Sequence, residues 1–189
     1  REVTLHAFWL DQTEVTNGMY ALCVQAGACR PPKKASSANR LAYYGTPEFQ
    51  DYPVVQITWG DAQAYCAWAG RRLPTEAEWE RAARGDDLRT YPWGDEPPGA
   101  RYANFNALIR DTSRVGSYPA GASPFGALDM AGNVWEWVAD FYDTDYYASA
   151  PAADPPGPLE NFGRFRRVIR GGSFQDEFLS VRLSNRGHE

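Results

Sequence analysis

The chain has 189 residues, enough for one domain with a substantial core, and 43% of them are hydrophobic. A formal net charge of −5 argues against a nucleic-acid backbone as partner, and no apolar run approaches membrane-spanning length. The aromatic share of 14% is high and comes with 17 glycines and 14 prolines, which predicts irregular loops over a core filled by Trp and Tyr.

The chain starts at Arg1 without a Met, shows no signal peptide, and reads as a single domain cut from a longer protein. Residues 1–11 alternate weakly and predict an early strand running into the core. Thr16 is an N-cap for a helix that buries Tyr20, Cys23 and Val24 and stops at Gly27. Cys23 and Cys29 bracket a short loop, where a disulfide and two unlinked thiols both fit. A disulfide there would imply an oxidising, extracytoplasmic compartment or a thermophilic host. Residues 30–53 are irregular, tacked down by Tyr43 and Tyr44.

Thr58 with Asp61 opens a second helix that buries Ala62, Tyr65, Cys66 and Ala69. Thr75 with Glu78 opens a third, with Glu76 near its positive end and Arg81 and Arg84 near its negative end. Residues 86–125 carry little periodicity beyond a short extended piece at 115–119, but Asn104, Asp111, Thr112 and Ser113 offer oxygens in a loop. Loops this long inside a domain are commonly functional or pinned by ions.

The stretch from Ala127 to Asp140 reads as a Gly132-Asn133 turn feeding a strand. Trp135 and Trp137 share one face and Glu136 takes the other. Locally, this is either a Trp-rich core strand with an exposed Glu or a carboxylate held near carbonyls, suited to calcium. Residues 140–165 are loop, residues 166–174 form a strand ending in a double-glycine bend, and the remainder lacks a period.

With two histidines, at positions 6 and 188, a three-histidine metal site is impossible and a Ser-His-acid or Cys-His site has little to work with. The three cysteines form no CxxC pair, and Gly171-Gly172-Ser173 lacks the lysine of a phosphate loop.

Taken together, these motifs resemble the formylglycine-generating enzyme (sulfatase-modifying factor) family. The matching residues run from Glu14-Val15-Thr16-Asn17 through Arg72-Leu73-Pro74-Thr75-Glu76 and Tyr91-Pro92-Trp93-Gly94. They continue with Gly132-Asn133-Val134-Trp135-Glu136-Trp137 and Arg170-Gly171-Gly172-Ser173-Phe174. The resemblance implies an α+β, C-type-lectin-like fold with little regular structure and two structural calcium sites. One maps onto the side chains of Asp129 and Glu136 with the carbonyls of Gly132 and Val134. The other maps onto Asn104, the Phe105 carbonyl and Asp111, with Ser113 as an optional fourth.

Oxidase members of the family bind copper(I) through two cysteines after the Gly-Gly-Ser motif. Here those places hold Asp176 and Val181, so copper chemistry is not expected. Sibling branches that make sulfoxides need a histidine-bearing partner domain. The expectation is therefore a non-catalytic module that binds a protein or small molecule through Phe174, Gln175, Asp176, Glu177, Phe178, Leu179, Ser180 and Arg182. The resemblance allows a fusion to a kinase or caspase-like protease, or a retroelement-diversified variable protein. The alternative is an enzyme with other chemistry, using Ser173, Asp176, Glu177, Arg170, Arg182 or Arg186.

Overall fold

The computed structural model describes residues 2–158 and 166–189. Three helices lie in the first half. Helix α1 spans Asn17–Gln25, with the Thr16 hydroxyl accepting the Met19 N–H at 3.2 Å. Helix α2 spans Trp59–Trp68 and α3 spans Glu76–Arg84. Both open with a reciprocal box, Thr58 with Asp61 and Thr75 with Glu78, which satisfies N–H groups that would otherwise be orphaned. Each cap contributes about 1 kcal/mol. A short fourth helix, α4 at Tyr146–Ser149, lies inside a segment that the sequence reads as loop.

Strands β1 (Glu136–Phe141), β2 (Arg167–Arg170) and β3 (Gly187–His188) form one antiparallel sheet in that order. Glu136 pairs with Arg170 and Phe141 with Arg167, and the register slips between Trp137 and Phe141. Side chains satisfy carbonyls within the slipped stretch. Trp59 Nε1 donates to the Val138 carbonyl at 2.8 Å, and Arg167 donates to that of Ala139 at 2.6 Å. The Arg167 guanidinium is sandwiched between the rings of Trp59 and Phe141. Strand β3, which no periodicity announces, depends on Gly187: a Cβ there would stand 2.8 Å from Ile169 Cγ1 and 3.0 Å from the Trp135 ring.

The main core gathers Trp79, Ala83, Met130, Val138, Val168 and Leu183, so α3 packs directly on β1 and β2. A second cluster holds Tyr20, Cys23, Cys29, Val54 and Tyr65, and Cys23 and Cys29 form a disulfide. A third joins Tyr91, Ala103, Phe105, Ala131 and Val181.

Several expectations need correction. Residues 2–11 do not form a strand. Thr4 makes an isolated bridge to Ala153, Phe8 and Leu10 pack on the main core, and Trp9 is fully exposed. Trp135 precedes β1, and both Trp135 and Trp137 keep partial contact with solvent instead of filling the core. Glu76 is 1% exposed, a role that a dipole partner in a first helical turn does not announce. Its carboxylate takes two hydrogen bonds from Arg186, at 2.7 and 2.8 Å, tying the C-terminal segment to α3. Of the loop expected over 140–165, residues 159–165 lie outside the described residues. No helix among the described residues is long and apolar enough to cross a membrane.

Candidate functional site

The site is built around the Gly132-Asn133 turn. Both residues adopt left-handed φ values, 84° and 56°. At 132 only glycine fits, because a Cβ would lie 2.3 Å from the Asn104 carbonyl oxygen. The Asn133 N–H donates to that same carbonyl at 2.8 Å, and the Asn133 carbonyl accepts the Phe174 N–H at 2.9 Å. The turn thereby joins loop 104–113 to the loop after Ser173.

On one side of the turn lie three acids. Glu14, Asp129 and Glu136 sit close enough for their charges to oppose one another. Burial, then the charges of Asp129 and Glu136, hold the Glu14 carboxyl well above the usual carboxylate range. Burial and Asp129 push Glu136 up to about 7, against the Trp79 indole N–H, which donates to it at 2.9 Å. Asp129 is raised by burial, although the Gly116 N–H donates to it at 2.6 Å. Glu14 Oε1 is buried with no hydrogen-bond partner among the described residues. Among those residues no three acidic, histidine or cysteine side chains already stand as a metal cluster, so an ion here needs main-chain oxygens as well. The orphaned Glu14 oxygen and the crowded negative charge of Asp129 and Glu136 are what a hard cation would relieve. Glu14, which the sequence reading left outside the ligand set, feels the charges of both Asp129 and Glu136.

On the other side, Asn104, Phe105 and Asp111 are brought together, but their oxygens are mostly occupied. The Asn104 side-chain amide donates to the Asp111 carbonyl at 2.8 Å, and the Phe105 carbonyl accepts the Leu108 N–H at 3.0 Å. Both carboxylate oxygens of Asp111 already accept hydrogen bonds from protein donors.

The loop after Ser173 divides into supporting and presented residues. Phe174 is buried, and its carbonyl accepts the Ala107 N–H at 2.7 Å. The Asp176 carboxylate turns back onto Ser173, accepting its N–H at 2.9 Å and its hydroxyl at 2.5 Å. Val181 is buried against Tyr91, Phe105 and Ala131. Ser180 is half-buried, while Gln175, Glu177, Phe178, Leu179 and Arg182 face solvent.

Loop 106–110 was not anticipated as part of this surface. The Asn106 N–H donates to the Asp176 carbonyl at 2.8 Å, so the two loops run side by side. Leu108 and Ile109 are about half exposed, as are Phe178 and Leu179, at 46–51% of their surface. Asn106, Ala107 and Arg110 all take left-handed φ values between 50° and 59°, which costs on the order of 1 kcal/mol or more each. Asn106 is a residue type that tolerates this region, but nothing in the sequence announces the left-handed φ of Ala107 and Arg110.

A cleft of about 920 Å³ opens beside the acids, lined by Glu14, Val134 and Glu136 as well as Leu10, Tyr65, Cys66, Trp135 and Trp137, and by no residue of 173–182. Burial pushes the Cys66 thiol up, which keeps it protonated and a poor nucleophile.

Comparison with known proteins agrees with this architecture. Residues 1–189 match the family described as Sulfatase-modifying factor enzyme 1-like domain. The serine/threonine-protein kinase pkn1 of Chlamydia caviae is 37% identical over 98% of this chain, which spans only 31% of the kinase. The formylglycine-generating enzyme of Streptomyces coelicolor is 36% identical over 91% of this chain and 69% of its own length. The structure of PvdO from Pseudomonas aeruginosa superposes with a TM-score of 0.73 at 27% identity, covering 94% of this chain and 72% of PvdO. By the match along its whole length and by the shared fold, the chain belongs to the Sulfatase-modifying factor enzyme 1-like family.

Proposed function

We propose that the domain is a non-catalytic binding module that presents loops 106–110 and 173–182 to a protein ligand. The observation that carries this reading is the fate of Asp176 and Val181, which stand where copper-binding relatives carry cysteines. One is folded back onto Ser173 and the other is sealed in a core cluster. Asp176 engages Oδ2 with Ser173 and Val181 has no donor atom, so the two cannot hold copper(I) as a pair of thiolates does. Beside them Leu108, Ile109, Phe178 and Leu179 remain exposed, which suits a partner with an apolar anchor.

The acid cluster is read as one structural calcium site, with Asp129, Glu136, Glu14 and the Gly132 and Val134 carbonyls as ligands. The Cys23–Cys29 disulfide favours an oxidising, extracytoplasmic setting. Similarity to the kinase pkn1 over nearly the whole chain favours a place beside a kinase segment in a longer protein.

Peptides selected from a random library for binding to the domain test the surface. Binding is expected to fall at least tenfold in Phe178→Asp and in Ile109→Asp while the melting temperature stays within about 2 °C of wild type, as for surface substitutions. Peptides that bind both variants at wild-type strength would count against this surface. Copper-dependent oxygen uptake with a cysteine-containing sulfatase peptide would overturn the non-catalytic reading.

A further inference from the structure

The family resemblance places a second calcium ion at Asn104, Phe105 and Asp111, and the donor set there does not fit one. A calcium site supplies about six to eight oxygen ligands. A carboxylate has about four lone-pair positions, and at Asp111 three hydrogen-bond donors and one guanidinium crowd them. The Ser37 hydroxyl and the Asn39 N–H each approach Oδ2 at 2.8 Å. The Thr112 N–H approaches Oδ1 at 2.7 Å, and the Arg40 guanidinium stands 3.2 Å from the same oxygen. The Phe105 carbonyl takes the Leu108 N–H, and the Ser113 carbonyl takes the Asn133 side-chain amide at 3.4 Å. Asn104 Oδ1 alone among these oxygens is buried without a partner.

The cation already present is fixed in place. The Arg40 side chain is 24% exposed and its guanidinium lies 4.8 Å from the Phe49 ring centroid, 5.1 Å from that of Tyr52 and 5.8 Å from that of Tyr43. It also donates to the Thr112 carbonyl and hydroxyl, each at 3.1 Å. The Thr112 hydroxyl in turn donates to the Tyr43 hydroxyl at 3.0 Å. A divalent ion at Asp111 would have to displace this guanidinium from its ring cage or sit against its charge.

We infer that loop 104–113 is held by the chain's own cation, Arg40, and takes no metal ion. The guanidinium is part of the chain, so the pin is independent of metal supply. Leu108 and Ile109 therefore keep their positions when calcium is withdrawn, and only the acid cluster at Asp129 responds to it. The inference stands apart from that calcium reading, and the two can fail separately.

Equilibrium dialysis of the whole chain against calcium, with metal counting, tests it. The expected result is at most one ion per chain, none in Asp129→Asn, and an unchanged count in Asp111→Asn. A count of zero in wild type defeats the site at Asp129 and leaves the Arg40 inference intact. Two ions per wild-type chain, or one ion that survives Asp129→Asn and disappears in Asp111→Asn, overturns it. As a check that does not depend on the count, Arg40→Met is expected to lower the melting temperature by several degrees, equally in calcium and in chelator. An unchanged melting temperature would refute the pinning role.

Discussion

Asn133 donates its side-chain amide to Glu14 at 3.0 Å, across 119 positions of sequence. Its other side-chain atom, Oδ1, accepts the Ser113 N–H at 2.8 Å and the Ser113 hydroxyl at 3.1 Å. With both main-chain groups bonded as well, one asparagine ties the segment before α1, loop 104–113 and the loop after Ser173 to a single turn. Its 1% exposure means that each bond is made away from water.

Asn133→Ala should therefore cost far more than an ordinary loop substitution. It leaves the Ser113 N–H without its acceptor and a Glu14 oxygen without its donor, and it puts alanine at a φ of 56°. A loss on the order of 3–5 kcal/mol is expected in urea unfolding. A loss below about 1 kcal/mol would show that water replaces these bonds freely.

The disulfide closes a short loop, with Cys23 and Cys29 six positions apart. Chain-entropy arguments give about 2 kcal/mol for a loop of this size. Paired Cys23→Ala and Cys29→Ala substitution should lower stability by roughly that amount while leaving the fold intact, since Tyr20, Val54 and Tyr65 still fill the cluster. Reductant should reproduce the loss in wild type and have no further effect on the variant. Wild-type unfolding that ignores reductant would show the bridge to be absent or energetically silent.

Asp140 gives a pH prediction. It is 2% exposed, and burial, aided by Glu76, pushes its carboxyl up to about 6 despite the Glu76 N–H donating to it at 2.7 Å and the Arg186 charge nearby. Arg167 feels its charge as well. The folded state thus binds a proton that the unfolded chain releases near its ordinary value of 3.8. Stability from this group is full below that value and is lost as pH rises through about 6. Asp140→Asn keeps an acceptor for the Glu76 N–H and removes the loss. It should raise stability at pH 7.5 by on the order of 1–3 kcal/mol and leave it nearly unchanged at pH 4. Equal effects at both pH values would mean that the carboxyl titrates normally.

The helices were legible because their signals are local: Thr58 with Asp61 and Thr75 with Glu78 lie three residues apart and speak for themselves. The Gly132-Asn133 turn was legible for the same reason. The acid cluster was only half visible, because Glu14 precedes a helix far from Asp129 and Glu136 and looks like any surface acid. Arg40 could not be read at all. Its significance lies in three rings and a carboxylate gathered from positions 43, 49, 52 and 111, and a loop arginine carries no mark of them. Phe174 and Phe178 share a composition and a loop, yet one is buried and the other exposed. Without a regular period no rule assigns their sides.

Glu136 carries the calcium reading, and it can be tested without a binding partner for the exposed loops. In the absence of an ion the charges of Glu14, Asp129 and Glu136 oppose one another, the first two buried and Glu136 half-buried at the wall of the cleft. A bound ion reverses that repulsion and stabilises the folded chain through its own binding, by about 2.7 kcal/mol at a hundredfold excess over Kd. The wild-type melting temperature should rise by several degrees with calcium and fall back with chelator. Glu136→Gln keeps an oxygen for the Trp79 indole and removes one negative charge. Its melting temperature should be insensitive to calcium and, in chelator, should equal or exceed that of wild type. If calcium and chelator leave wild type unmoved, the acids are held by shared protons alone, and the Asp129 to Glu136 turn owes nothing to a metal.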